Sequence, residues 1–517
     1  MKKLILKEFE FLKNIKSEVD LRNAIIDINN EIYFYPVTKS TKTKKGNDLK
    51  KYLDSNNTIL FVVSDYHKNQ ILIDIKILKI SSSDVIKISC SSSSLSNKIY
   101  NNKNLVNFIC KIKKLYFTKC IIEKKLVKIK DINFIDFDSK HYEIIDNPIS
   151  SNDLILTAGP SISQREMIYS SDATINGWNT EWSKYIKKFE NEFANYIGVK
   201  YAISTSSCTG AMHIALMSLG ISNGDEVIVP DITWVSTANA VRLVGAIPIF
   251  ADVNINTWTL DPISTEKLIT KKTKAIMPVH LYGHPCEMDK ILKLSKKHDL
   301  KIIEDAAPSI GAKFKKDKTG SFGDFSAFSF QGAKLLVTGE GGMLCTNDKK
   351  LYEKAYKVWD QGRIPGSFWI EELGLKYKMS NIQASIGLGQ LERNDLMVGA
   401  KRQINKWYYE DLKNNKKIEF FKESKNSRSI HWMTNIRLKS TKMSREEFCN
   451  KLREKGIDSR PVFPSISQYP YWPHKQKQQP NSKLISESGI NLPSGVCLTK
   501  EKIKYICKSI NEILENE

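Results

Sequence analysis

The sequence lacks three features that would direct it to a membrane or to the secretory pathway. It contains no run of about 18 consecutive apolar residues, so no transmembrane helix is predicted. Residues 1–8 reach charged side chains too early for a signal peptide. Nine cysteines are dispersed without a Cys-x-x-Cys pair or a Cys/His cluster at zinc spacing, so no metal site is predicted. We therefore expect a reducing, cytoplasmic location.

The sequence also lacks an arginine-rich patch, although its 517 residues carry a formal net charge of +22. The excess comes from lysines that are spread along the whole chain, and no recognition-helix signature accompanies them. A nucleic-acid-binding surface normally concentrates its basic residues in a patch or stripe. No nucleic-acid partner is expected, and an anionic substrate is a simpler use for part of the positive charge.

Residues 1–150 contain almost no Gly or Trp and are rich in Lys, Asn, Ile and Ser. Short β-type runs and two helical patterns predict an extra α+β domain at the N-terminus. The predicted strands are 31–37, 58–64, 70–80, 84–90 and 114–122, and the predicted helices are 8–29 and 103–114. No catalytic constellation and no glycine-rich phosphate loop stand out there, so this segment does not indicate its own role.

After a polar, proline-containing linker at 146–153, the pattern changes to alternating strands and helices. The predicted strands are 200–204, 226–230, 247–253, 275–281, 301–305 and 325–330, and the predicted helices are 181–196, 209–219, 235–244, 288–298 and 349–359. Alternation of this kind predicts a large α/β domain with a mainly parallel sheet over residues 155–414. Such sheets bind ligands at the carboxyl ends of their strands.

Residues 415–517 predict a smaller C-terminal α+β domain. A long helical stretch at 380–412 leads into a strand at 430–438 and a helix at 444–455. A loop rich in proline and aromatic residues at 461–473 and a final helix from Lys500 complete it.

Several chemically capable residues lie at predicted strand ends. Residues 205–210 (Thr-Ser-Ser-Cys-Thr-Gly) join a strand to a helix and predict a phosphate site, although a Ser or Thr helix cap looks the same. Trp234 could stack on a planar ring or simply pack in the core. Asp305 ends a buried strand, where a carboxylate needs a cation. Lys334, five residues after Ser329, is either a surface lysine or a Schiff-base lysine.

These features together meet the requirements of pyridoxal phosphate. The cofactor needs a phosphate cup, a stacking surface, an acid beside its ring nitrogen and a lysine amine. The same lysine can then move a proton as general base and general acid. The combination favours the functional alternative for Lys334 over a surface lysine.

The motifs around these residues carry a family resemblance. Residues 155–517 resemble the DegT/StrS family of pyridoxal-phosphate-dependent sugar aminotransferases, which have the aspartate-aminotransferase-like fold (fold type I). The matching motifs are FENEF at 189–193, PDITWVSTANA at 230–240, PVHLYG at 278–283, EDAA at 304–307, FSF at 328–330 with Lys334, TGEGG at 338–342, MSNIQA at 379–384 and GLGQLE at 387–392.

The resemblance implies a role for each matched residue. Lys334 would form the Schiff base and carry the proton, and Asp305 would pair with the pyridinium nitrogen. Trp234 would stack on the ring. The phosphate contacts implied by the family are Thr209, the backbone around Cys208, Ser329 and, from the neighbouring subunit, Lys376. The family also implies a homodimer with shared active sites that moves an amino group, usually from glutamate, to a keto sugar linked to a nucleotide, for surface polysaccharide or glycoconjugate biosynthesis.

The chain departs from the family pattern at three places. Cys208 stands where a glycine is usual, Pro308 stands where a side chain usually contacts the ring hydroxyl, and lysines at 376 and 378 replace the common Asn and Arg. These departures keep open a non-catalytic binding or regulatory protein with the same fold. For residues 1–150 we expect a docking or oligomerisation domain, with a second sugar-modifying activity as the alternative.

Overall fold

The computed structural model describes residues 58–67, 70–81, 84–88 and 154–517. The described residues fall into two compact units. The first contains an antiparallel three-stranded meander, followed much later in the chain by a helix; its elements are β1 Thr58–His67, β2 Gln70–Ser81, β3 Asp84–Ile88 and α1 Gln164–Asn176. The three strands confirm the runs predicted at 58–64, 70–80 and 84–90. The other elements predicted within 1–150 lie outside the described residues.

The second unit comprises residues 154–160 and 177–517 of the described chain. Its first half alternates strands and helices, as predicted. The elements are α2 Lys184–Ile197, β4 Tyr201–Thr205, α3 Cys208–Ser218, β5 Glu226–Pro230, α4 Ser236–Leu243, β6 Ile247–Ala251, α5 Pro262–Lys267, β7 Thr273–Ile276, α6 Met288–His298, β8 Lys301–Asp305, β9 Lys313–Phe314, β10 Asp317–Lys318, β11 Phe325–Ser329, β12 Gly342–Thr346 and α7 Lys349–Trp359.

A seven-stranded sheet organises this half of the unit. Its strand order is β4-β12-β11-β8-β7-β5-β6, and every neighbouring pair is parallel except the two that involve β12. Strand β12 was not predicted, because residues 342–346 are buried throughout and so show no alternation of apolar and polar side chains. Aliphatic and aromatic side chains of α3, α4 and α7 cover one face of the sheet.

The C-terminal half completes the unit with a second, antiparallel sheet of strand order β13-β15-β17-β16. Its elements are α8 Asn381–Leu391, α9 Asn394–Leu412, β13 Ile418–Phe420, β14 Ser427–Arg428, β15 Thr434–Leu438, α10 Arg445–Glu454, β16 Arg460–Pro461, α11 Pro480–Ser488, β17 Gly489–Leu492 and α12 Lys500–Glu515. Helices α9, α10 and α12 pack on this sheet through one apolar cluster. None of the helices that the structure describes is long and apolar enough to cross a membrane.

Two predictions for this half need correction. The helical stretch at 380–412 is two helices, α8 and α9, which are separated at residues 392–393. The strand predicted at 430–438 begins only at Thr434, because His431 adopts a left-handed backbone conformation (φ 47°) that an extended strand does not allow. The displaced residues Ile430 to Met433 instead form a bend that packs against Tyr282.

Candidate active site

The residues singled out in the sequence come together where the parallel strands of the large sheet end. Strand β4 ends at Thr205 and leads into α3, and β5 ends at Pro230 and leads through Trp234 into α4. Strand β8 ends at Asp305, and its neighbour β11 ends at Ser329. Because parallel strands end at the same edge of a sheet, these side chains share one face of the unit.

Asp305 is a buried carboxylate that accepts two hydrogen bonds. Its Oδ2 accepts from Thr237 Oγ1 at 2.7 Å, and its Oδ1 accepts from the backbone N–H of Ala307 at 3.1 Å. Within the described residues no ion pair reaches this carboxylate. Burial raises the pKa of Asp305, and the two hydrogen bonds and Lys334 partly oppose that rise. The site therefore favours a cation beside Asp305.

Lys334 is a partly buried lysine whose amine forms no ion pair within the described residues. It lies in the turn that follows β11, where its backbone N–H donates to the carbonyl of Gln331 at 2.8 Å. Burial lowers the pKa of Lys334 to about 8, although the negative charge of Asp305 acts in the opposite direction. A lysine with such a pKa supplies free amine near neutral pH, which is what attack on a carbonyl requires.

The residues predicted to bind a phosphate lie at the first turn of α3. Ser207 caps the helix by accepting the N–H of Gly210 at 3.0 Å. Among the described residues, the N–H groups of Cys208 and Thr209 have no acceptor. A Cβ on Gly342 would lie 2.6 Å from the backbone nitrogen of Cys208, so glycine is required where β12 passes beneath this turn. Free N–H groups at a helix N-terminus are suited to a phosphate.

Cys208 itself contributes a neutral side chain to the first turn of α3. Burial raises the pKa of its thiol well above the ordinary value, and the negative charge of Asp305 adds to that effect. The thiol therefore stays protonated at neutral pH and brings no charge to compete with a phosphate.

The remaining predicted residues lie around this centre. Trp234 is 59% exposed, and its ring centroid is 5.7 Å from that of Phe463. Ser329 is buried at the end of β11, and its Oγ accepts the N–H of Gln331 at 3.4 Å. Lys376 is exposed and precedes Tyr377, whose carbonyl accepts the N–H of Ser206 at 2.7 Å. Lys376 thus lies two residues from a bridge between Lys378 and Thr205 of the same chain.

A buried pair, His280 and Glu304, supports this edge of the sheet, and no role was predicted for it. The imidazole of His280 lies 2.9 Å from a carboxylate oxygen of Glu304, and both side chains are fully buried. His280 Nδ1 accepts from the N–H of Cys286, so its Nε2 carries the proton and donates to Glu304. Glu304 also accepts three backbone N–H groups, from Gly320, Phe322 and Gly323. Both residues stand in motifs that carry the family resemblance, and this membership is the sequence feature that could have pointed to the pair.

Thr237 and Trp432 were also missed. Thr237 stands in the motif at 230–240, and its hydroxyl donates to Asp305. Trp432 belongs to the segment predicted as a strand, and its ring lies over Lys334 Nζ at 3.8 Å. Only the tertiary structure brings Trp432 to the site, because about 100 residues separate it from Lys334.

This donor set fits pyridoxal phosphate. The unpaired carboxylate of Asp305 matches a protonated ring nitrogen, the amine of Lys334 matches a carbonyl, and the N–H groups of Cys208 and Thr209 match a phosphate. When bound, pyridoxal phosphate supplies the carbonyl that takes up an amino group and a ring that accepts electrons. The fold and the site together define a pyridoxal-phosphate-dependent enzyme of the aminotransferase type.

Comparison with known proteins identifies the family: the chain belongs to the DegT/DnrJ/EryC1/StrS aminotransferase family, which residues 160–511 match. It is 43% identical over 359 residues to GDP-perosamine synthase of Escherichia coli O157:H7, covering 69% of this chain and 98% of that protein. The corresponding enzyme of Caulobacter vibrioides is 38% identical over 364 residues, with coverages of 70% and 98%. The solved sugar aminotransferase Spr1654 of Streptococcus pneumoniae, in its PMP form, aligns with a TM-score of 0.66 at 25% identity and covers 70% of this chain and 98% of that one.

The chain is thus a pyridoxal-phosphate-dependent sugar aminotransferase of polysaccharide biosynthesis. This confirms the predicted family, cofactor and enzyme class, and it removes the non-catalytic alternative. The α/β fold is confirmed as well. The extra N-terminal domain, the domain boundaries and the individual site residues stay predictions.

Proposed function

We propose that this enzyme transfers an amino group from glutamate to the keto carbon of a GDP-linked sugar and forms GDP-perosamine or a near relative of it. The names of two relatives at 38% and 43% identity support this product. The observation that carries the aminotransferase chemistry is the pair formed by Lys334 and Asp305, an amine and a carboxylate that form no ion pair within the part of the chain that the structure describes.

The roles proposed for the site residues are supported by their surroundings and by the family resemblance. Lys334 takes up and returns the proton that moves during amino transfer, because a pKa of about 8 lets its amine both hold and release a proton near neutral pH. Asp305 holds a positive charge on the cofactor ring, and Thr237 orients that carboxylate. Cys208, Thr209 and Ser329 bind the phosphate, Trp234 stacks on the ring, and Lys376 adds a positive charge from the partner subunit.

Replacing Lys334 tests the site. Lys334→Ala should abolish the visible absorption of lysine-bound cofactor, because no amine remains to bond the cofactor carbonyl. It should also lower kcat by at least about a thousandfold, because the group that moves the proton is missing. The melting temperature should change little, and Lys316→Ala, at an exposed lysine, is the matched control. A wild-type protein that binds no pyridoxal phosphate, or a Lys334→Ala variant with full activity, would refute the assignment.

Substrate competition tests the sugar and the donor. Purified enzyme should convert a GDP-linked keto sugar to its amino sugar faster than the UDP- or dTDP-linked counterparts, with the product measured by mass spectrometry. Glutamate should be a better donor than aspartate or alanine and should leave 2-oxoglutarate. A preference for UDP- or dTDP-linked sugars would remove GDP from the proposal while leaving the aminotransferase intact.

We also propose that the enzyme is a homodimer with shared active sites. An exposed hairpin at residues 362–373 supports this, because it presents Phe368, Trp369 and Leu373 at 96%, 69% and 82% exposure. Apolar side chains grouped in this way mark an interaction surface. Analytical ultracentrifugation should show a dimer that Trp369→Asp weakens, whereas Ile263→Asp, at an equally exposed site in α5, should not. A monomeric wild type would refute the dimer.

For residues 1–150 we propose an additional α+β domain that serves docking or oligomerisation, with acyl transfer to the sugar as the second candidate. Its described strands form an antiparallel meander, and the curated relatives match only about the last seventy per cent of the chain. Binding of an acyl donor by the full-length chain, measured by calorimetry, distinguishes the candidates. Saturable binding would favour the enzymatic one.

A further inference from the structure

The indole of Trp432 holds Lys334 in two ways. The ring centroid lies 3.8 Å from Lys334 Nζ, a distance at which the face of an indole attracts an ammonium group. The indole Nε1–H donates to the carbonyl of Ala333 at 2.8 Å, immediately before Lys334 in the chain. One side chain therefore contacts both the amine and the backbone of the turn that carries it.

The backbone of Trp432 is itself fixed from two sides. Its N–H donates to the carbonyl of Tyr282 at 2.9 Å, and its carbonyl accepts from Lys401 Nζ at 2.8 Å. The rings of Tyr282 and Trp432 are stacked, with centroids 5.9 Å apart and an interplanar angle of 20°. Movement of Trp432 would therefore break contacts with two other parts of the fold.

Lys401 is buried, and burial removes the hydration of its amine, which costs free energy. It is 5% exposed in α9, and its amine donates to the carbonyls of Trp432 and Ser494. Among the described residues no carboxylate forms an ion pair with it, and burial lowers the pKa of Lys401 to about 7. An apolar side chain would fill the same space without the desolvation cost of an amine. The feature that distinguishes Lys401 is therefore its pair of hydrogen bonds to the two carbonyls.

The backbone on either side of this contact is strained. Tyr282 has φ 51° and His431, next to Trp432, has φ 47°, and neither is glycine. Such conformations persist only where surrounding contacts enforce them, and they are concentrated at functional sites. The backbone conformation of His431 prevents β15 from extending to Trp432, and the indole lies over Lys334.

We propose that Trp432 is a positioning residue for Lys334 and that buried Lys401 locks Trp432 in place. The proposal rests on the role of Lys334 given above. A lysine that moves a proton has to stay at the reacting carbon when its amine is unattached and protonated. The indole face keeps the ammonium group there, and the bond to Ala333 keeps the turn from moving away.

Two variants test this proposal with the full-length holoenzyme. Trp432→Phe keeps an aromatic cover and removes the bond to Ala333, and Lys401→Met keeps the volume and removes both carbonyl contacts. Each should lower kcat about tenfold or more while the KM for the keto-sugar nucleotide stays within about threefold, because proton transfer and not substrate binding is impaired. Cofactor content should remain stoichiometric, and the visible circular dichroism of the bound cofactor should change because Lys334 is reoriented.

Matched controls separate positioning from general stability. Trp359→Phe removes an equally buried indole N–H, which donates to the carbonyl of Ser204 at 2.9 Å. Like Trp432, this indole also lies under a lysine amine, that of Lys378. Lys318→Met removes a half-buried lysine amine that donates to the carbonyl of Tyr196. Both controls should lower the melting temperature to an extent similar to the test variants, with kcat within about twofold and an unchanged dichroism band.

The outcomes are distinct. Unchanged kcat and dichroism in Trp432→Phe would overturn the proposal, and so would an equal loss of kcat in the two controls. If Lys401→Met does not fold, Lys401→Arg is measured instead. Because arginine keeps N–H donors at this position, the variant should preserve the visible dichroism band. Loss of that band in Lys401→Arg would count against the role of Lys401. A wild-type enzyme without a visible cofactor band would instead refute the proposed function of Lys334.

Discussion

At the scale of single residues, the candidate site contains two charged groups, buried Asp305 and partly buried Lys334, that form no ion pair within the described chain. Asp305 has donors but no cation, and Lys334 has an aromatic cover but no anion. Each is unfavourable by itself, since a buried ion is stable only when it is paired. In the roles proposed above, the cofactor would offer its ring nitrogen to Asp305 and its carbonyl to Lys334, so stability and function oppose each other in the apoprotein.

Asp305→Asn should separate the two effects. The variant should lose about a hundredfold to a thousandfold in kcat, because the charge proposed to stabilise the protonated ring is removed. The apoprotein should unfold at the same or a slightly higher temperature, by roughly 2 °C for about 1 kcal/mol, since an uncompensated buried carboxylate has gone. Calorimetry of the apoprotein and steady-state kinetics check the two halves. Asp299→Asn, at an exposed position, is the control, and activity within tenfold of wild type would contradict the prediction.

The lowered pKa of Lys334 predicts how fast the apoprotein captures pyridoxal phosphate at each pH. Only the neutral amine attacks a carbonyl, and the pKa of Lys334 is about 8, below the ordinary value of 10.5. The capture rate should therefore rise about tenfold for each pH unit below 8 and level off above it. Stopped-flow absorbance follows the reaction. A midpoint near 10 would show that Lys334 is not desolvated.

At the scale of elements, the catalytic edge is fixed by contacts between loops and strand ends. Glu304, adjacent to Asp305 on β8, binds three N–H groups of the loop at 320–323 and the imidazole of His280. This carboxylate joins β8 to the segment that leads into β11. The relative position of Asp305 and Lys334 therefore depends on a residue that contacts neither the cofactor site nor solvent.

Glu304→Gln should destabilise the protein by about 3 kcal/mol. The amide NH₂ of glutamine would face N–H groups that now donate to a carboxylate oxygen. Those buried N–H groups would then lack an acceptor. Urea unfolding, followed by circular dichroism, gives the change in free energy. Glu340→Gln is the matched control because its side chain is exposed. A loss below about 1 kcal/mol would mean that the loop finds other acceptors.

At the scale of the whole molecule, the aminotransferase is contained in the C-terminal part of the chain. Residues 160–511 match the family, and the curated relatives are covered over 98% of their own length by about seventy per cent of this chain. The relatives thus reach their full length without a counterpart of the N-terminal segment.

Removing residues 1–150 should therefore leave kcat and cofactor content within about threefold of the full-length values, since the deletion removes no residue proposed to act in catalysis. Assays of the shortened and full-length chains with the same keto-sugar nucleotide provide the measurement. Loss of a higher assembly on deletion would support a docking or oligomerisation role. Loss of cofactor binding would show that residues 1–150 are part of the aminotransferase.

The sequence alone determined the alternation of strands and helices, the class of fold and the cofactor, because these depend on local periodicity and on motifs at strand ends. Helix α6 and strands β5 and β8 have the predicted bounds. The tertiary structure alone decided the strand β12, the break between α8 and α9, and the placement of Trp432 over Lys334. A fully buried strand has no alternating pattern, and contacts between segments about 100 residues apart depend on how the whole chain packs.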